Sequence, residues 1–210
     1  MLKRFVWKEN DVYAIQLKQK LYMPVQLLAK PYASFYALES ESADFADFTS
    51  DSVRLDDHQL LGTCMVLKQF VKTCAAAKLK GQLLPREHVE IPELFISPDP
   101  LQWWRRGELT DSELLYHLVH IDPARGDQGI LSNSITQRNI PRDDRDLWER
   151  YELVGHNTGY ELIRRLILSL ETGRWIDPAK EKARTGQDPY PLQTLEELWA
   201  AGVPRYESLE

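Results

Sequence analysis

Apolar and polar residues alternate along the first third of the chain, in short runs separated by polar joints. In the run VYAIQL, the apolar residues Tyr13, Ile15 and Leu17 fall on one face of an extended chain, which is the period of a β-strand. The joint KQK comes next, and LYMPVQLL and SFYAL are two further β-rich runs. Pro24 predicts an edge strand or a bulge in the second run, because proline has no amide hydrogen to donate. Short strands joined by short turns predict an antiparallel meander, which is a small bent sheet or an open barrel.

In the next two segments, the spacing of the apolar residues does not distinguish a strand from a helix. LGTCMVLKQFV fits a strand or a helix, and Gly62 together with the β-branched residues favours a strand. TCAAAKLKG fits either element. The passage LPREHVEIPELFISPDP contains four prolines, so we expect it to be rich in loops and to hold the boundary between two domains.

From Asp99 onward the pattern becomes that of capped helices. Asp99 and Pro100 suit the N-cap and first positions of one helix, and Thr110 and Glu113 have capping-box spacing in front of LLYHLVH. Further helices are predicted in IPRDDRDLWERYELVG, ended by Gly155, in NTGYELIRRLILSLETG, with Thr158 and Glu161 at its start and Gly173 at its end, and in LQTLEELWAAG, delimited by Thr194, Glu197 and Gly202. The sequence therefore predicts an α+β protein, with an N-terminal antiparallel β-sheet or small open barrel at 1–98 and a mainly helical region at 99–210 packed against it.

Charge is distributed unevenly along the chain. The net charge is −6, and residues 39–57 hold seven acidic residues against one arginine, whereas 1–38 and 58–84 each carry four positive charges in excess. Carboxylates steer a basic partner and aromatic residues anchor it, so this block predicts a surface for binding a basic protein. The expected contact residues are Glu41, Asp44, Phe45, Asp47, Phe48, Asp51, Asp56 and Asp57. The alternative is a solvated loop that the two phenylalanines hold onto the sheet.

Motifs of common enzyme sites are missing from the chain. It contains no GxxxxGK[ST], GxGxxG, GxSxG or HExxH sequence, so we expect neither a catalytic site nor a cofactor. The alternative is a metal-dependent hydrolase, since Glu113, His117 and His120 would share one face of a helix with Asp122 just beyond. Histidines near a helix C-terminus also serve the helix dipole, which needs no metal.

A third class of function is suggested by adjacent aromatic and basic residues. Trp103, Trp104, Arg105 and Arg106 could stack on nucleic-acid bases. The surrounding sequence lacks the basic footprint of nucleic-acid-binding proteins, so we do not expect direct binding of nucleic acid.

The N-terminal residues and the lengths of the apolar runs indicate the compartment. Lys3 and Arg4 precede no apolar segment of a signal peptide, and no apolar run reaches the roughly 18 residues of a membrane span. We therefore expect a cytoplasmic protein that is not bound to a membrane.

Cys64 and Cys74 have neither metal nor disulfide spacing, and we interpret them as buried thiols.

The opening runs resemble the start of the immunity protein 26 family, across at most residues 5–105. Members of that family commonly begin with a Gly-Asp-Val-Phe-Ala-Ile-Pro-Leu-like strand, a hairpin and a Phe-Asp-like third strand, which DVYAIQL and SFYALES resemble. In this chain Asn10 occupies the position of the family's glycine, and Gln16 occupies that of the proline. The later segment HVEIPELFISPDPLQWW is similar to the family's downstream pattern of a proline and aromatic residues.

The resemblance implies an immunity protein. Such proteins bind the C-terminal toxin domain of a bacterial polymorphic or contact-dependent toxin in the cytoplasm and neutralise it without catalysis. The toxins are often nucleases with basic clefts, a partner that the acidic block would suit.

Overall fold

The computed structural model describes residues 4–46, 48, 53–81, 83–103, 109, 113–155, 157 and 159–206. In this part of the chain the strands are β1 Val12–Lys18, β2 Leu21–Leu27, β3 Tyr32–Tyr36, β4 Val53–Arg54, β5 Leu60–Met65, β6 Ala75–Lys78, β7 Leu83–Leu84, β8 Leu94–Pro98, β9 Tyr116–His120, β10 Ser134–Gln137 and β11 Glu152–Leu153. The helices are α1 Lys68–Cys74, α2 Pro100–Trp103, α3 Asp127–Leu131, α4 Arg145–Arg150, α5 Gly159–Thr172, α6 Pro178–Thr185 and α7 Leu195–Ala200.

The chain divides into two compact units, each made of segments that are distant in sequence. The first unit comprises Met1–Ile91, His156–Ile176 and Leu192–Glu210, and the second comprises Pro92–Gly155 and Asp177–Pro191. The predicted α+β class is confirmed, because an antiparallel sheet of five strands precedes a C-terminal region in which helices predominate. The division at residues 98 and 99, which we expected to separate a β-sheet module from a helical region, stays a prediction.

The sheet of the first unit is antiparallel and has the strand order β5-β3-β2-β1-β6. β1 and β2 form the predicted hairpin, and Lys20 takes a left-handed φ of 56° at its turn. β5 and β6 are the edges of the described sheet, which is therefore open and not closed into a barrel. The ambiguous segment LGTCMVLKQFV contains both candidate elements, since β5 ends within it and α1 begins within it.

One face of this sheet is covered by α5. Ile15 and Phe35 belong to the same buried cluster as the apolar stripe of this helix, and four residues of that stripe are completely buried, namely Leu162, Ile163, Leu166 and Ile167. Burying an aliphatic side chain stabilises a fold by roughly 1.5–3 kcal/mol, so this stripe contributes strongly to the first unit. The prediction of this helix is confirmed, and Gly173 follows its end with a φ of 65°. Thr158, the expected cap, lies outside the described residues.

Pro24 lies in a central strand, so the predicted edge position is wrong. Amides of successive residues in a strand point to opposite neighbours. The amide of Tyr22 donates to the carbonyl of Ser40 at 2.9 Å, so the nitrogen of Pro24 faces the same side, toward β3. On that side the regular ladder stops at the Val25–Phe35 pair and resumes only at the Tyr22–Ser40 bridge. Pro24 therefore occupies an irregularity in the ladder, which agrees with the second predicted alternative.

The second unit contains a sheet with the order β10-β9-β8-β11, in which only the β8–β11 pairing is parallel among the described strands. The helix predicted in LLYHLVH is wrong, because Tyr116–His120 is the strand β9. Tyr116 and Leu118 join the core cluster around Trp148, while His117 and Val119 are buried on the opposite face. Pairing with two neighbouring strands buries both faces and outweighs the helical spacing. Strand β8 lies in the proline-rich passage, where we expected mainly loops.

Two predicted helix caps are present. Oδ1 of Asp99 accepts hydrogen bonds from the amides of Leu101 at 2.8 Å and Gln102 at 3.1 Å, at the start of α2. Thr194 and Glu197 form the reciprocal capping box of α7.

Helix α6 was missed by the sequence analysis although its ends carry ordinary signals. Asp177 caps it by accepting a hydrogen bond from the amide of Lys180 at 3.1 Å, and Pro178 occupies its first position. Gly186 follows its end with a φ of 78°. The eight-residue helix has few apolar residues, so a search for an apolar stripe does not find it.

Both cysteines are buried and free, as predicted. Burial raises the pKa of the Cys74 thiol, which keeps it in its unreactive form.

In the described part of the chain, no helix combines the length and the apolar character that crossing a membrane requires.

Candidate functional site

The acidic loop, residues 39–57, joins β3 to β5 and lies on the second face of the first unit's sheet. Phe45 and Leu55 of this loop are completely buried, in a cluster with Val12 and Tyr36 of the sheet. The ring of Phe45 stacks on that of Phe48, with 5.8 Å between their centroids. Phe45 therefore holds the loop onto the sheet, and in this conformation its side chain is closed to a partner.

Five acidic residues of the acidic loop are described and all five are exposed, namely Glu39, Glu41, Asp44, Asp56 and Asp57. Asp47 and Asp51 lie outside the described residues. Hydrogen bonds from the Ser42 hydroxyl and from the amide of Ala46 hold the pKa of the Asp44 carboxyl below its usual value. This carboxylate therefore stays ionised well into the acidic range, and the loop presents its charge on a backbone that the buried aromatic residues fix.

A second segment contributes to the same surface. The guanidinium of Arg54 contacts the carboxylates of Asp56 at 3.2 Å and Glu87 at 2.7 Å. The amide of Glu87 also donates to Asp56 at 3.4 Å, and β4 pairs with β7 in front of these residues. Glu87 is exposed, so it extends the acidic surface, which we define as Glu41, Asp44, Asp56, Asp57 and Glu87. Sequence reasoning missed Glu87 because it lies 30 residues beyond Asp57 in the chain.

Gln26 fixes this second segment to the sheet. Its buried amide accepts from the Tyr36 hydroxyl at 2.7 Å and from the amide of Arg86 at 2.9 Å. It also donates to the carbonyl of Arg86 at 2.9 Å and to Asn10 at 3.1 Å. Both the oxygen and the nitrogen of the side chain are used twice, so the backbone next to Glu87 has a defined position. In sequence, Gln26 is an ordinary polar residue of a strand.

The four residues of the alternative metal site do not come together in the structure. Glu113, His117, His120 and Asp122 are all described, and no group of three or more His, Cys, Asp or Glu side chains able to hold a metal occurs in the described part of the chain. The interpretation assumed a helix, whereas β9 places His117 and His120 on opposite faces of a strand. Asp122 instead caps a short turn, accepting from the amide of Ala124 at 2.9 Å.

The imidazole ring of His117 is held by hydrogen bonds at both of its nitrogens. Its Nδ1 accepts a hydrogen bond from the amide of Asn139 at 3.0 Å, so Nε2 is the nitrogen that donates to Asp99, at 2.8 Å. With both ring nitrogens in use, this buried side chain links β9 to the N-terminus of α2 and to the residues after β10.

We expect Asp99 to make the second unit sensitive to acid. The hydrogen bond from His117, together with those from the amides of Gln102 and Leu101, holds the pKa of the Asp99 carboxyl below its usual value. A lowered folded-state pKa stabilises the fold above the unfolded-state value of about 3.9, and this contribution is lost as pH falls through the folded-state pKa. In urea titrations, the advantage of the wild type over Asp99→Asn should therefore be complete at neutral pH and shrink below pH about 4.

A second variant separates the charge of Asp99 from its role as a cap. Asp99→Ala also removes the oxygen that accepts from α2, so it should be less stable than Asp99→Asn by about 1 kcal/mol at every pH. A difference between the wild type and Asp99→Asn that does not change with pH would contradict the role of the charge.

The residues suggested for nucleic-acid stacking are outside what the structure describes. Trp104, Arg105 and Arg106 lie there, and for Trp103 only its backbone position at the end of α2 is described.

Comparison with known proteins identifies a family but no function. No curated protein matches the chain, and no solved structure matches it. Nothing found links the chain to the immunity protein 26 family, so that resemblance stays a prediction. A family model described as Domain of unknown function (DUF8309) matches residues 2–186. The chain therefore belongs to the DUF8309 family.

Proposed function

We propose that this protein binds a basic protein through the acidic surface and neutralises it without catalysis, in the manner of an immunity protein acting on a bacterial toxin domain. The observation that carries the proposal is the acidic surface itself, whose exposed carboxylates come from two segments that Arg54, Gln26 and the buried Phe45 hold in place. A preorganised surface loses little conformational entropy on binding, and its charge accelerates encounter with a basic partner.

The partner suggested by this chemistry is a domain with clustered lysines and arginines, such as the substrate cleft of a nuclease. Neutralisation then results either from covering the cleft or from holding the domain beside it. The proposed compartment is the cytoplasm, where the toxin's target would lie. Phe45 is left out of the contact surface because it is part of the core, and Phe48 is half-buried beside it.

The direct test is co-purification with the protein domain encoded immediately upstream. A stable one-to-one complex, together with toxicity of that domain when it is expressed alone and survival when this chain is co-expressed, would support the proposal. A harmless upstream product that does not bind would argue against it.

Charge reversal tests the surface itself. In Glu41→Lys/Asp57→Lys, two exposed carboxylates become cations, so association with the partner should slow by about tenfold or more at low ionic strength. The effect should diminish at high salt, because exposed charges are screened there. Stopped-flow or surface-binding kinetics at two salt concentrations measure this.

A matched control carries the same change in net charge elsewhere. Glu149→Lys/Glu161→Lys replaces two exposed glutamates of helices α4 and α5. If both double variants slow association equally, net charge alone matters and the acidic surface is not the contact site.

A further inference from the structure

A cavity lies beside α7 in the first unit, apart from the residues of the acidic surface. Its volume is about 610 Å³, and it is lined by Glu196, Trp199, Ala200, Val203 and Arg205. Sites for small molecules commonly have volumes of about 300–1,000 Å³. The capping box of Thr194 and Glu197 fixes the first turn of the helix, and with it the position of Glu196.

Two residues of opposite charge line this cavity without neutralising each other. No ion pair joins Glu196 to Arg205 among the described residues. The guanidinium of Arg205 instead lies over the ring of Trp199, with its central carbon 4.3 Å from the ring centroid. The cavity therefore offers a cation and an anion next to an aromatic and aliphatic lining.

Trp199 adds an unused hydrogen-bond donor. Its Nε1 is buried and has no hydrogen-bond partner in the part of the chain that the structure describes. A buried donor without a partner costs free energy, which an incoming acceptor would recover. The ring of Trp199 lines the cavity, so a ligand bound there lies against the indole that carries this donor.

We propose that the cavity binds a small zwitterion with an apolar body, such as an amino acid with an apolar side chain. The carboxylate of the ligand accepts from Arg205 and from the indole of Trp199, and its ammonium group pairs with Glu196. Its apolar part contacts Ala200 and Val203. This site does not depend on the proposed function of the acidic surface.

The test monitors the indole N–H signal of Trp199 by NMR in the full chain, with Trp199→Phe identifying the signal. L-phenylalanine, L-leucine and L-tryptophan are added at millimolar concentration. We expect a saturable shift with at least one of them. For the amino acid that binds, the analogue without the amine and the analogue without the carboxylate should each bind about tenfold more weakly, because each loses a charge-assisted contact. For phenylalanine these analogues are 3-phenylpropionate and phenethylamine.

Variants locate the binding to the cavity. Arg205→Met and Glu196→Gln should each weaken binding by about tenfold, while Arg174→Met, which replaces an exposed arginine outside the cavity, should leave it unchanged. The proposal is overturned if none of the three amino acids shifts the signal, if the truncated analogues bind equally well, or if Arg205→Met has the same affinity as the wild type.

Discussion

Gly62→Ala should destabilise the first unit by roughly 3 kcal/mol, at the upper end of what overfilling a core costs. A Cβ atom at Gly62 would lie 2.4 Å from Cδ2 and Cε2 of Trp175. The indole cannot retreat, because its ring stacks on Phe35 at 5.9 Å and carries the Arg165 guanidinium at 3.9 Å. The free energy of unfolding from urea titration measures the loss.

A double-mutant cycle shows whether the clash is the cause. In a Trp175→Leu background the space beside Gly62 is larger, so adding Gly62→Ala should cost less than about 1 kcal/mol there. Gly81→Ala is the control for adding a methyl group, since no atom lies within 4 Å of its Cβ and only its φ of +80° opposes the change. An equal cost of Gly62→Ala in both backgrounds would contradict the clash with Trp175.

Arg165→Met should be about as damaging, with a loss of roughly 3 kcal/mol. Only 2% of Arg165 is exposed, although it is an arginine in the middle of α5. Its Nε donates to the carbonyl of Ile176 at 3.0 Å, and one terminal nitrogen donates to Oδ1 of Asn157 at 3.1 Å. Methionine fills a similar volume but leaves both acceptors, which are partly buried, without these donors. Urea titration monitored by circular dichroism measures the change.

Two further variants define the role of Arg165. Arg165→Lys keeps the charge, but a lysine ammonium cannot reproduce the fork that reaches both acceptors, so we expect it to recover little of the lost stability. Arg164→Met, on the more exposed neighbouring position, should cost less than about 1 kcal/mol. Wild-type stability in Arg165→Met would show that the buried guanidinium is dispensable.

The elements that were predictable from sequence are those with strong local signals. The three strands of the meander, helix α5 with its apolar stripe, and the caps at Asp99 and Thr194 each depend on residues within a few positions of one another. Local spacing was misleading in LLYHLVH, because the same residues fit one face of a helix and also fit a β-strand. The choice was made by pairing with β8 and β10, which no local pattern contains.

The candidate site also combines features that are visible in the sequence with features that depend on long-range contacts. The charge of the acidic loop is visible in the sequence, and so is the possibility that its phenylalanines hold it to the sheet. Which aromatic residue is buried depends on what lies beneath the loop, and Phe45 is buried because Val12 and Tyr36 of the sheet form a floor for it. Glu87 joins the surface only through Arg54 and Gln26, which are distant from it in the chain.

By itself, the sequence determined the α+β class, the order of the first three strands, helix α5, the helices capped at Asp99 and Thr194, and the position of the acidic block. These features arise from backbone periodicity, capping and charge, which act between near neighbours in the chain. Only the tertiary structure decided the central place of Pro24, the burial of Phe45 and Arg165, the separation of Glu113, His117, His120 and Asp122, and the cavity beside Trp199. Each of these depends on the pairing of strands and the filling of a shared core, where contacts join residues that are far apart in sequence.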